Sequence, residues 1–584
     1  MAVLLWQELL VQRSLDGMNR SMSEKITPWS WIVAPSSTLA AALLGSFLCW
    51  LAFPPVAWGA LVWVAPVPWL MLVVLPQLPG KRPYRALWLA GVIFWLLTVH
   101  WIRLPHPANY LSLLVLACYL GIYLPLFVGL SRRAVHLMRV PLWLAAPITW
   151  TGLDWLRHHL MTGFGMGSLA HTQVEYPAII QIADIFGEYG VTFLIVLVAS
   201  CLTTVLSNCE PRRPRPRFWR LLPAAISLLA ALVYGSVSFM EHHSVISQMN
   251  RPSGPRIALI QGNTLADWKS DLEKQSQIVA EYVQLSQDAV RESLKRDGRK
   301  VDLVIWPETS FRQPLVTVEE GYAPPKDRVH PTYITGGQSQ LAELVKLLDA
   351  AVLVGIDRVH IFPDDEGQPD YNSYNSSVLV DSQGVVLGTY DKMHRVPFGE
   401  YIPFAEWFPS LYEFTPLTGG IDAGQGPGKN LWLGDFLIAP NICYETAVPQ
   451  LIRRQVHEAS DRANPNVMVN LTNDAWYWGS SELDMHLACG VFRAVEMRVP
   501  LVVAANGGLS ASIDAYGTIW QVTQRQQPSF LLVDLNRTYA SSSYLMFGDW
   551  FAILCVLCCM VFTISSRVAT QRTAPRVSRG DTAE

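Results

Sequence analysis

A single cysteine stands between a short apolar run and a Tyr-Glu pair in the stretch IAPNICYETAVP, residues 438–449. The nucleophilic form of a thiol is the thiolate, and an unperturbed pKa of about 8.5 leaves only a few per cent of it ionised at neutral pH. Cys443 therefore needs a base and a cation before it can attack a carbonyl group. Glu308 in IWPETS and Lys392 in YDKMHRVPFGE also follow strand-like runs and could supply them.

These three residue types suit acyl transfer. A carboxylate can take the thiol proton, and a lysine ammonium has three donors that can stabilise both the thiolate and the oxyanion of an attacked carbonyl. Sequence spacing does not show that the side chains meet. Each also has a structural alternative: Glu308 as a helix-capping carboxylate, Lys392 as a solvated hairpin charge and Cys443 as a buried small apolar residue.

The segment that carries these residues, about 255–540, has ordinary charge density and alternates β-branched runs with helix-like stretches. The strand-like runs include RIALIQGN, VDLVIWPETS, AVLVGID, FLIAPNICYE and NVMVNLTND, and amphipathic stretches such as QLAELVKLLDA lie between them. This alternation predicts a layered α/β or α+β domain.

The rest of the chain is dominated by apolar runs of roughly 16 to 23 residues, close to the ~20 that cross a bilayer as a helix. Eight occur, near 37–53, 56–78, 87–102, 109–130, 140–156, 190–207, 221–240 and 546–566. We therefore predict a multi-pass α-helical membrane domain of about eight transmembrane helices. The predicted organisation is an N-terminal segment 1–35, seven spans in 36–245, the soluble domain 255–540, the eighth span 545–567 and a tail 568–584.

The basic residues of the short loops predict the orientation. They follow the second, fourth, sixth and eighth apolar runs, in 81–85, 132–139, the string EPRRPRPRFWR and 567–579. The opposite loops offer little beyond Arg103 and Arg157. This sorting predicts cytoplasmic termini and an outward-facing soluble domain, and it argues against buried core helices in a soluble protein.

The cysteines do not suggest a disulfide scaffold, because only Cys443 and Cys489 lie in the outward-facing domain. Cys555, Cys558 and Cys559 lie in an apolar run without His or acidic partners, so we interpret them as small lipid-tolerant residues instead of a metal cluster. The formal net charge of −3 indicates no nucleic-acid partner. We expect no metal and no organic cofactor.

The strings IWPET, YDKMHRVPFGEYIPF, ICYE and NLTNDAW occur in this order. Together they resemble the carbon-nitrogen hydrolase (nitrilase) superfamily, whose members carry a Glu-Lys-Cys triad on a four-layer αββα sandwich. Within it the chain is most similar to the apolipoprotein N-acyltransferases, which are bacterial membrane enzymes. The membrane half matches that family through FPPVAWGALVWVAPVPWL, LDWLRHHLMTGFGMGSLAHTQ and PAIIQIADIFGEYGVTFLI. The resemblance covers nearly the whole chain and implies a nitrilase-like αββα domain.

The resemblance implies site residues position by position. It makes Glu308 the general base, Lys392 the oxyanion-stabilising cation and Cys443 the nucleophile. Four further positions match supporting or substrate-binding residues of the family: Glu400, Tyr444, Glu445 and Trp268. The tryptophan match is approximate, because its distance from QGN is about two residues shorter here. The two additional acids have a structural alternative, in which they orient the lysine.

The chain also departs from the family pattern. It reads TGFGM where TGFPW is usual, which puts Gly165 at a typical proline position. It reads RVPLVVAAN around the usual GRPLLRxTN, so Val499 and Val503 replace typical arginines, whereas three other positions still match: Arg493, Glu496 and Asn506. These departures leave the triad intact and bear on head-group or acceptor preference.

Membrane tethering favours a substrate that is itself confined to the membrane. The resemblance implies a phospholipid as acyl donor, the N-terminal diacylglyceryl-cysteine of an apolipoprotein as acceptor, and a thioester intermediate. It implies the bacterial inner membrane with a periplasmic catalytic domain. The alternatives are a membrane-anchored amidase or nitrilase that transfers to water, and a non-catalytic membrane binding or transport protein with a vestigial triad.

An aromatic stretch, EYIPFAEWFPSLYEFTPLTGG, follows the lysine motif directly. Its large apolar residues fall within 404–414 and include Trp407 and Phe408. It is either a loop that packs in the core or a lid that contacts the membrane and guides acyl chains, since aromatic side chains favour the bilayer interface.

Overall fold

The computed structural model describes residues 37–207, 217–248, 254–264, 272–403, 405, 407–414, 420–537 and 540–572. Helices form the first part of the chain and its end, and two stacked β-sheets with flanking helices lie between them.

The apolar runs of the N-terminal part are helical. The helices are α1 Thr38–Ala52, α2 Val67–Val74, α3 Pro83–Thr98, α4 Asn109–Leu120, α5 Tyr123–His136, α6 Leu142–His159, α7 Pro177–Ile180, α8 Ala183–Phe186, α9 Glu188–Leu206 and α10 Leu222–Gln248. Aromatic side chains fill the contacts between them: Trp69 stacks on Trp150 at 5.5 Å between ring centroids, and Phe127 meets Trp150 edge-on at 4.8 Å.

Among the described residues, three helical segments are long and apolar enough to cross a membrane by length and composition: Asn109–His136, Glu188–Leu206 and Phe218–Met240. Five further apolar helical segments are shorter: Thr38–Ala52, Gly59–Val74, Pro83–Thr98, Pro177–Phe186 and Trp550–Ile564. Apolar helices are therefore confirmed as the main component of the N-terminal part, whereas the count of eight spans stays a prediction.

Two sheets form the middle of the chain. The first has the order β13-β1-β2-β4-β5-β6, with β3 also paired to β4, and the second has the order β12-β11-β10-β9-β8-β7. The strands are β1 Arg256–Gln261, β2 Leu303–Ile305, β3 Phe311–Val318, β4 Ala351–Pro363, β5 Pro369–Val380, β6 Val386–Asp391, β7 Trp432–Leu433, β8 Phe436–Ile442, β9 Val467–Asn473, β10 Leu501–Asn506, β11 Ala511–Ile513, β12 Ile519–Val522 and β13 Ser529–Asp534. At the centre of each sheet the strands are parallel, namely β1, β2 and β4 in one and β8, β9 and β10 in the other.

Alternating side chains place each sheet between a second sheet and a helical layer. Along β1, Ile257 and Leu259 pack in the core between the sheets, whereas Ala258 and Ile260 pack against the outer helices. The outer helices are α11 Leu272–Asp297 and α12 Pro331–Leu348 on the first sheet, and α13 Pro449–Glu458 and α14 Glu482–Met497 on the second. The predicted αββα sandwich is confirmed.

A buried polar cluster joins α14 to the helical part of the chain. The carboxylate of Glu188, at the start of α9, accepts from Arg493 at 2.6 Å and lies 3.0 Å from His158 and 3.1 Å from His171. Arg498 pairs with Asp184 at 2.6 Å. Because removing one partner of a buried ion pair is strongly destabilising, these contacts hold the two parts in a defined arrangement. The chain then ends in α15 Ser543–Phe547 and α16 Trp550–Arg572.

Candidate active site

Each residue of the predicted triad follows the end of a strand. Glu308 lies three residues beyond β2, Lys392 directly follows β6, and Cys443 directly follows β8 and begins a 3-10 turn, Cys443–Ala447. Cys443 has a φ of +53°. A residue other than glycine rarely adopts this left-handed conformation, and such backbone strain is typical of functional positions.

The carboxylate of Glu308 is buried and surrounded by donors. Its Oε1 accepts from Asn375 Nδ2 at 2.7 Å and from Lys392 Nζ at 3.2 Å, and its Oε2 accepts from the backbone N–H of Asn473 at 2.9 Å. Since an ionised carboxylate only accepts hydrogen bonds, three donors suit the charged form. Asn473 ends β9 of the second sheet, so this contact brings the strand ends of the two sheets together.

Lys392 is fully buried between two carboxylates. Its Nζ donates to Glu400 Oε1 at 2.7 Å and to Glu308 Oε1 at 3.2 Å. Burial alone would lower the pKa of Lys392, but the charges of Glu308 and Glu400 outweigh it and hold that pKa well above its usual range. Lys392 is therefore an ammonium at neutral pH. Two of its three protons are used by these carboxylates among the described residues, which leaves one for a reacting oxygen.

Cys443 shares the electrostatic environment of the other two residues. Burial is the largest cause that holds the pKa of its thiol well above the ordinary value; the charge of Glu308 adds to it and the charge of Lys392 opposes it. The thiol is therefore protonated at rest. A protonated thiol beside an ionised carboxylate and an ammonium can lose its proton as it attacks, which is the chemistry of acyl transfer.

The other two predicted acids contact the lysine or the backbone beside it. Besides its bond to Lys392, Glu400 accepts from Val396 N at 2.7 Å. Glu445 is completely buried and accepts from four donors: Met393 N (2.7 Å), His394 N (2.9 Å), Tyr390 Oη (2.7 Å) and Ile442 N (2.8 Å). It thus ties the backbone after the lysine to the backbone before the cysteine. The structural alternative considered for both acids agrees with these contacts.

Tyr444 connects the nucleophile turn to the helical part. Its hydroxyl accepts from Gly165 N at 3.3 Å and donates to Gly163 O at 3.5 Å. An added Cβ at Gly165 would lie 1.9 Å from the carbonyl oxygen of Ala447, the last residue of that turn. The departure from the family pattern at this position therefore coincides with a backbone contact that only glycine permits.

The remaining sequence predictions have different outcomes. Trp268 lies outside the described residues. In the aromatic stretch, Trp407 is 74% exposed and Phe408 is 61% exposed, so these two side chains do not pack in a core. Val499 and Val503 are buried in the apolar core that joins α14 to the helical part, where an arginine would need a buried partner.

Several residues at the site were not identified from the sequence. Asn375 donates to Glu308 and, at 3.3 Å, to Glu400. Asn506, which the sequence matched to the family without a role, donates to the side-chain oxygen of Asn473 at 2.8 Å and so holds the residue whose N–H binds Glu308. Asn473 lies in the string NLTNDAW, which contributes to the family resemblance but assigns no role to this residue. Asn375, in the middle of β5, has no comparable sequence signal.

Two groups of buried carboxylates and histidines have the residue types of metal ligands: Asp154, His158 and Glu188, and Asp474, Glu482 and His486. Both groups already make internal contacts, such as His158 to Glu188 at 3.0 Å and His486 to Asp474 at 3.4 Å. The expectation of no cofactor stays a prediction.

The stacked sheets and the Glu-Lys-Cys arrangement define a carbon-nitrogen hydrolase domain, and the family model described as carbon-nitrogen hydrolase matches residues 256–543. The model described as apolipoprotein N-acyltransferase N-terminal domain matches residues 45–201. Similar solved structures include an amidase from Nesterenkonia sp., with 20% identity, 50% of this chain and 94% of that chain covered and a TM-score of 0.32. A carbon-nitrogen hydrolase from Helicobacter pylori has 12% identity, covers 56% and 96%, and has a TM-score of 0.33.

Relatives that match most of the chain define a narrower family than the domain matches do. The apolipoprotein N-acyltransferase of Rhodopirellula baltica is 32% identical over 577 residues, which cover 91% of this chain and 97% of the relative. That of Geobacter metallireducens is 31% identical, with 89% and 94% covered. The chain belongs to the apolipoprotein N-acyltransferase family, and it is an acyltransferase.

Proposed function

We propose that this chain transfers a fatty acyl chain from a phospholipid to the N-terminal amine of the diacylglyceryl-cysteine of apolipoproteins, which completes lipoprotein maturation. The observation that carries the proposal is the convergence of Glu308, Lys392 and Cys443 in one buried site. The turn that begins at Cys443 is bonded through Tyr444 to the helical part of the chain. A thiol site next to apolar helices suits substrates that are held in the bilayer.

In the first half-reaction, Glu308 accepts the proton of Cys443 as Sγ attacks the ester carbonyl carbon of the phospholipid. The carbonyl π electrons move to oxygen, and the remaining N–H of Lys392 stabilises the oxyanion. When the oxyanion collapses, the ester C–O bond breaks and Glu308 returns the proton to the departing lysophospholipid oxygen. The acyl chain remains on Cys443 as a thioester.

In the second half-reaction, the neutral α-amine of the lipoprotein attacks the thioester carbonyl. Glu308 takes a proton from the nitrogen and Lys392 again stabilises the oxyanion. Collapse breaks the C–S bond, and the proton on Glu308 passes to the departing sulfur. The products are an amide and the free thiol. Glu400 and Glu445 keep the lysine in position through both steps.

The membrane arrangement is part of the proposal. Eight spans with cytoplasmic termini would place the domain 255–540 in the periplasm, attached to the bacterial inner membrane at both ends. The helices found in the apolar runs support the spans, and the sorting of basic loops supports the orientation. The exposed side chains of Trp407 and Phe408 are suited to contact lipid near the site.

Detection of the thioester intermediate on Cys443 tests this proposal. Purified protein incubated with phospholipid and no acceptor should gain the mass of one acyl chain on the peptide that contains Cys443, and hydroxylamine should remove it. Cys443→Ala should abolish the adduct. The matched control is Cys489→Ala, because Cys489 is a buried thiol of the same domain.

Undiminished acylation of the Cys443→Ala protein would contradict the mechanism. Rapid loss of the adduct to water without any amine would instead indicate the amidase alternative, and complete failure to acylate in the wild type would indicate the non-catalytic one. Neither alternative is favoured by the family to which the chain belongs.

A further inference from the structure

The backbone carbonyl of the nucleophile is held by two side chains that the mechanism does not use. Cys443 O accepts from His486 Nε2 at 3.1 Å and from Asn470 Nδ2 at 3.1 Å. Asn470 Nδ2 also donates to Asn441 Oδ1 at 2.8 Å, whereas His486 reaches this carbonyl from α14. Cys443 is the residue with the left-handed φ, so the two hydrogen bonds to its carbonyl hold the strained turn in place.

Both nitrogens of His486 face acceptors. Nε2 must donate, because its partner is a backbone carbonyl, and Nδ1 lies 3.4 Å from Asp474 Oδ1. An imidazole with an acceptor at each nitrogen is fixed as the doubly protonated cation. Asp474 is fixed in turn, since the same oxygen accepts from Thr472 Oγ1 at 2.7 Å.

The surrounding charges support this protonation state. Burial alone would lower the pKa of His486, but the charge and hydrogen bond of Asp474 are the main contributions that raise it to about 10. Burial, together with the charge of Asp474, holds the pKa of Glu482 well above its usual range. The cation at His486 is therefore paired with Asp474, whose Oδ1 lies 3.4 Å from Nδ1.

A trans peptide plane fixes the N–H opposite the C=O. Holding the carbonyl of Cys443 therefore also sets the direction of the N–H of Tyr444, the residue after the nucleophile. In enzymes with a nucleophile on a sharp turn, that N–H is a typical donor to the oxyanion. We propose that His486, oriented by Asp474, is a positioning residue that holds the Cys443–Tyr444 peptide so that its N–H shares the oxyanion with Lys392. This inference rests on the proposed acyl transfer.

The test compares two amide variants that occupy different parts of the imidazole. Asparagine places its amide near the position of Nδ1, within reach of Asp474 only, whereas glutamine reaches the position of Nε2 and can still donate to Cys443 O. His486→Asn should lower kcat for thioester formation by about 10²- to 10³-fold, the usual effect of losing one oxyanion donor, with KM for the phospholipid unchanged. His486→Gln should retain most of the activity.

Two further measurements separate positioning from folding. Both variants remove the imidazolium charge, and alkylation of Cys443 by iodoacetamide forms no oxyanion, so the alkylation rate should be the same in His486→Asn and His486→Gln. The infrared carbonyl band of a ¹³C-labelled acyl-enzyme should move toward that of a free thioester in His486→Asn and stay in place in His486→Gln. His457→Asn, on the exposed face of α13, is the matched control.

Unchanged kcat in His486→Asn would overturn the proposal. A parallel loss of acylation and alkylation in both variants would also overturn it, because it would show that His486 only stabilises the fold. If His486→Asn does not fold, His486→Gln carries the test, and a displaced carbonyl band in that variant would overturn it. Absence of a thioester in the wild type would instead contradict the proposed function.

Discussion

Replacing Gly165 by alanine should displace the turn that begins at Cys443 and slow thioester formation. The added Cβ would lie 1.9 Å from Ala447 O and 3.3 Å from the His158 ring. An ordinary C···O contact is about 3.3–3.6 Å, so the loop and the turn must separate by roughly 1.4–1.7 Å. The first atom met is a backbone oxygen, which cannot rotate away as a flexible side chain would.

The substitution should affect both the stability of the protein and the rate of thioester formation. Overpacking of this kind typically costs about 1–3 kcal/mol of stability. The turn that must move begins at Cys443, and misplacement of a reacting group by about 1 Å can reduce a rate by about 10²-fold. We therefore expect Gly165→Ala to lower the thermal midpoint of the protein and to slow thioester formation by about two orders of magnitude.

The assay is thioester formation in lipid nanodiscs, measured by mass spectrometry of the Cys443 peptide, with thermal unfolding followed in parallel. Gly426→Ala is the matched control, because a Cβ there meets nothing within 4 Å. Its midpoint and rate should equal those of wild type. A Gly165→Ala protein with wild-type stability and rate would refute the reasoning, since the contact with Ala447 would then not transmit to the nucleophile. Proline, the usual family residue at this position, should be tolerated no better than alanine.

Two further predictions concern the charges around Cys443 and the orientation of the chain in the membrane. The charge of Glu308 raises the pKa of Cys443 and that of Lys392 lowers it, so Glu308→Gln should speed alkylation by iodoacetamide near neutral pH, whereas Lys392→Met should slow it. Both substitutions should block acyl transfer. Equal changes of the alkylation rate in the two variants would contradict the electrostatic argument. Reporters fused within 80–85, 208–218 or after 567 should report the cytoplasm and one near 330 the outside, and a cytoplasmic signal at 330 would overturn the orientation.

The roles of the triad stay a prediction that rests on the resemblance of the ordered strings, because each member taken alone has a structural alternative. Their meeting was not predictable from spacing, since Glu308 and Lys392 are 84 positions apart and belong to separate strand ends. Alternation predicted a layered α/β or α+β domain, and the resemblance narrowed it to the αββα sandwich, in which Ile257 and Ala258 lie on opposite faces of β1. Local pattern therefore predicted the elements, whereas the roles of single residues came from the resemblance.

The supporting contacts were beyond local pattern. Asn375 binds Glu308 from the middle of an unremarkable strand, and His486 reaches Cys443 from a helix 43 positions away. The sequence shows Gly165 as a departure from the family pattern, but the effect of this departure depends on the contact with the carbonyl of Ala447, nearly 300 positions away along the chain. Each of these is a tertiary contact between a single polar or small residue and the backbone or a carboxylate, and such contacts leave no periodic signal.

The charges of the site suit the proposed reaction, in which one thiol serves two membrane-bound substrates in succession. Lys392 neutralises one of its two carboxylate neighbours, so the site retains a negative charge that disfavours a resting thiolate at Cys443. A neutral thiol is less prone to oxidation while the enzyme waits for a donor. In the proposed mechanism, the thiolate would form as a bound ester supplies an oxygen that can carry the displaced charge toward Lys392. Because sulfur is neutral again in the thioester, the same balance would serve the second half-reaction, in which Glu308 would accept the proton of the amine.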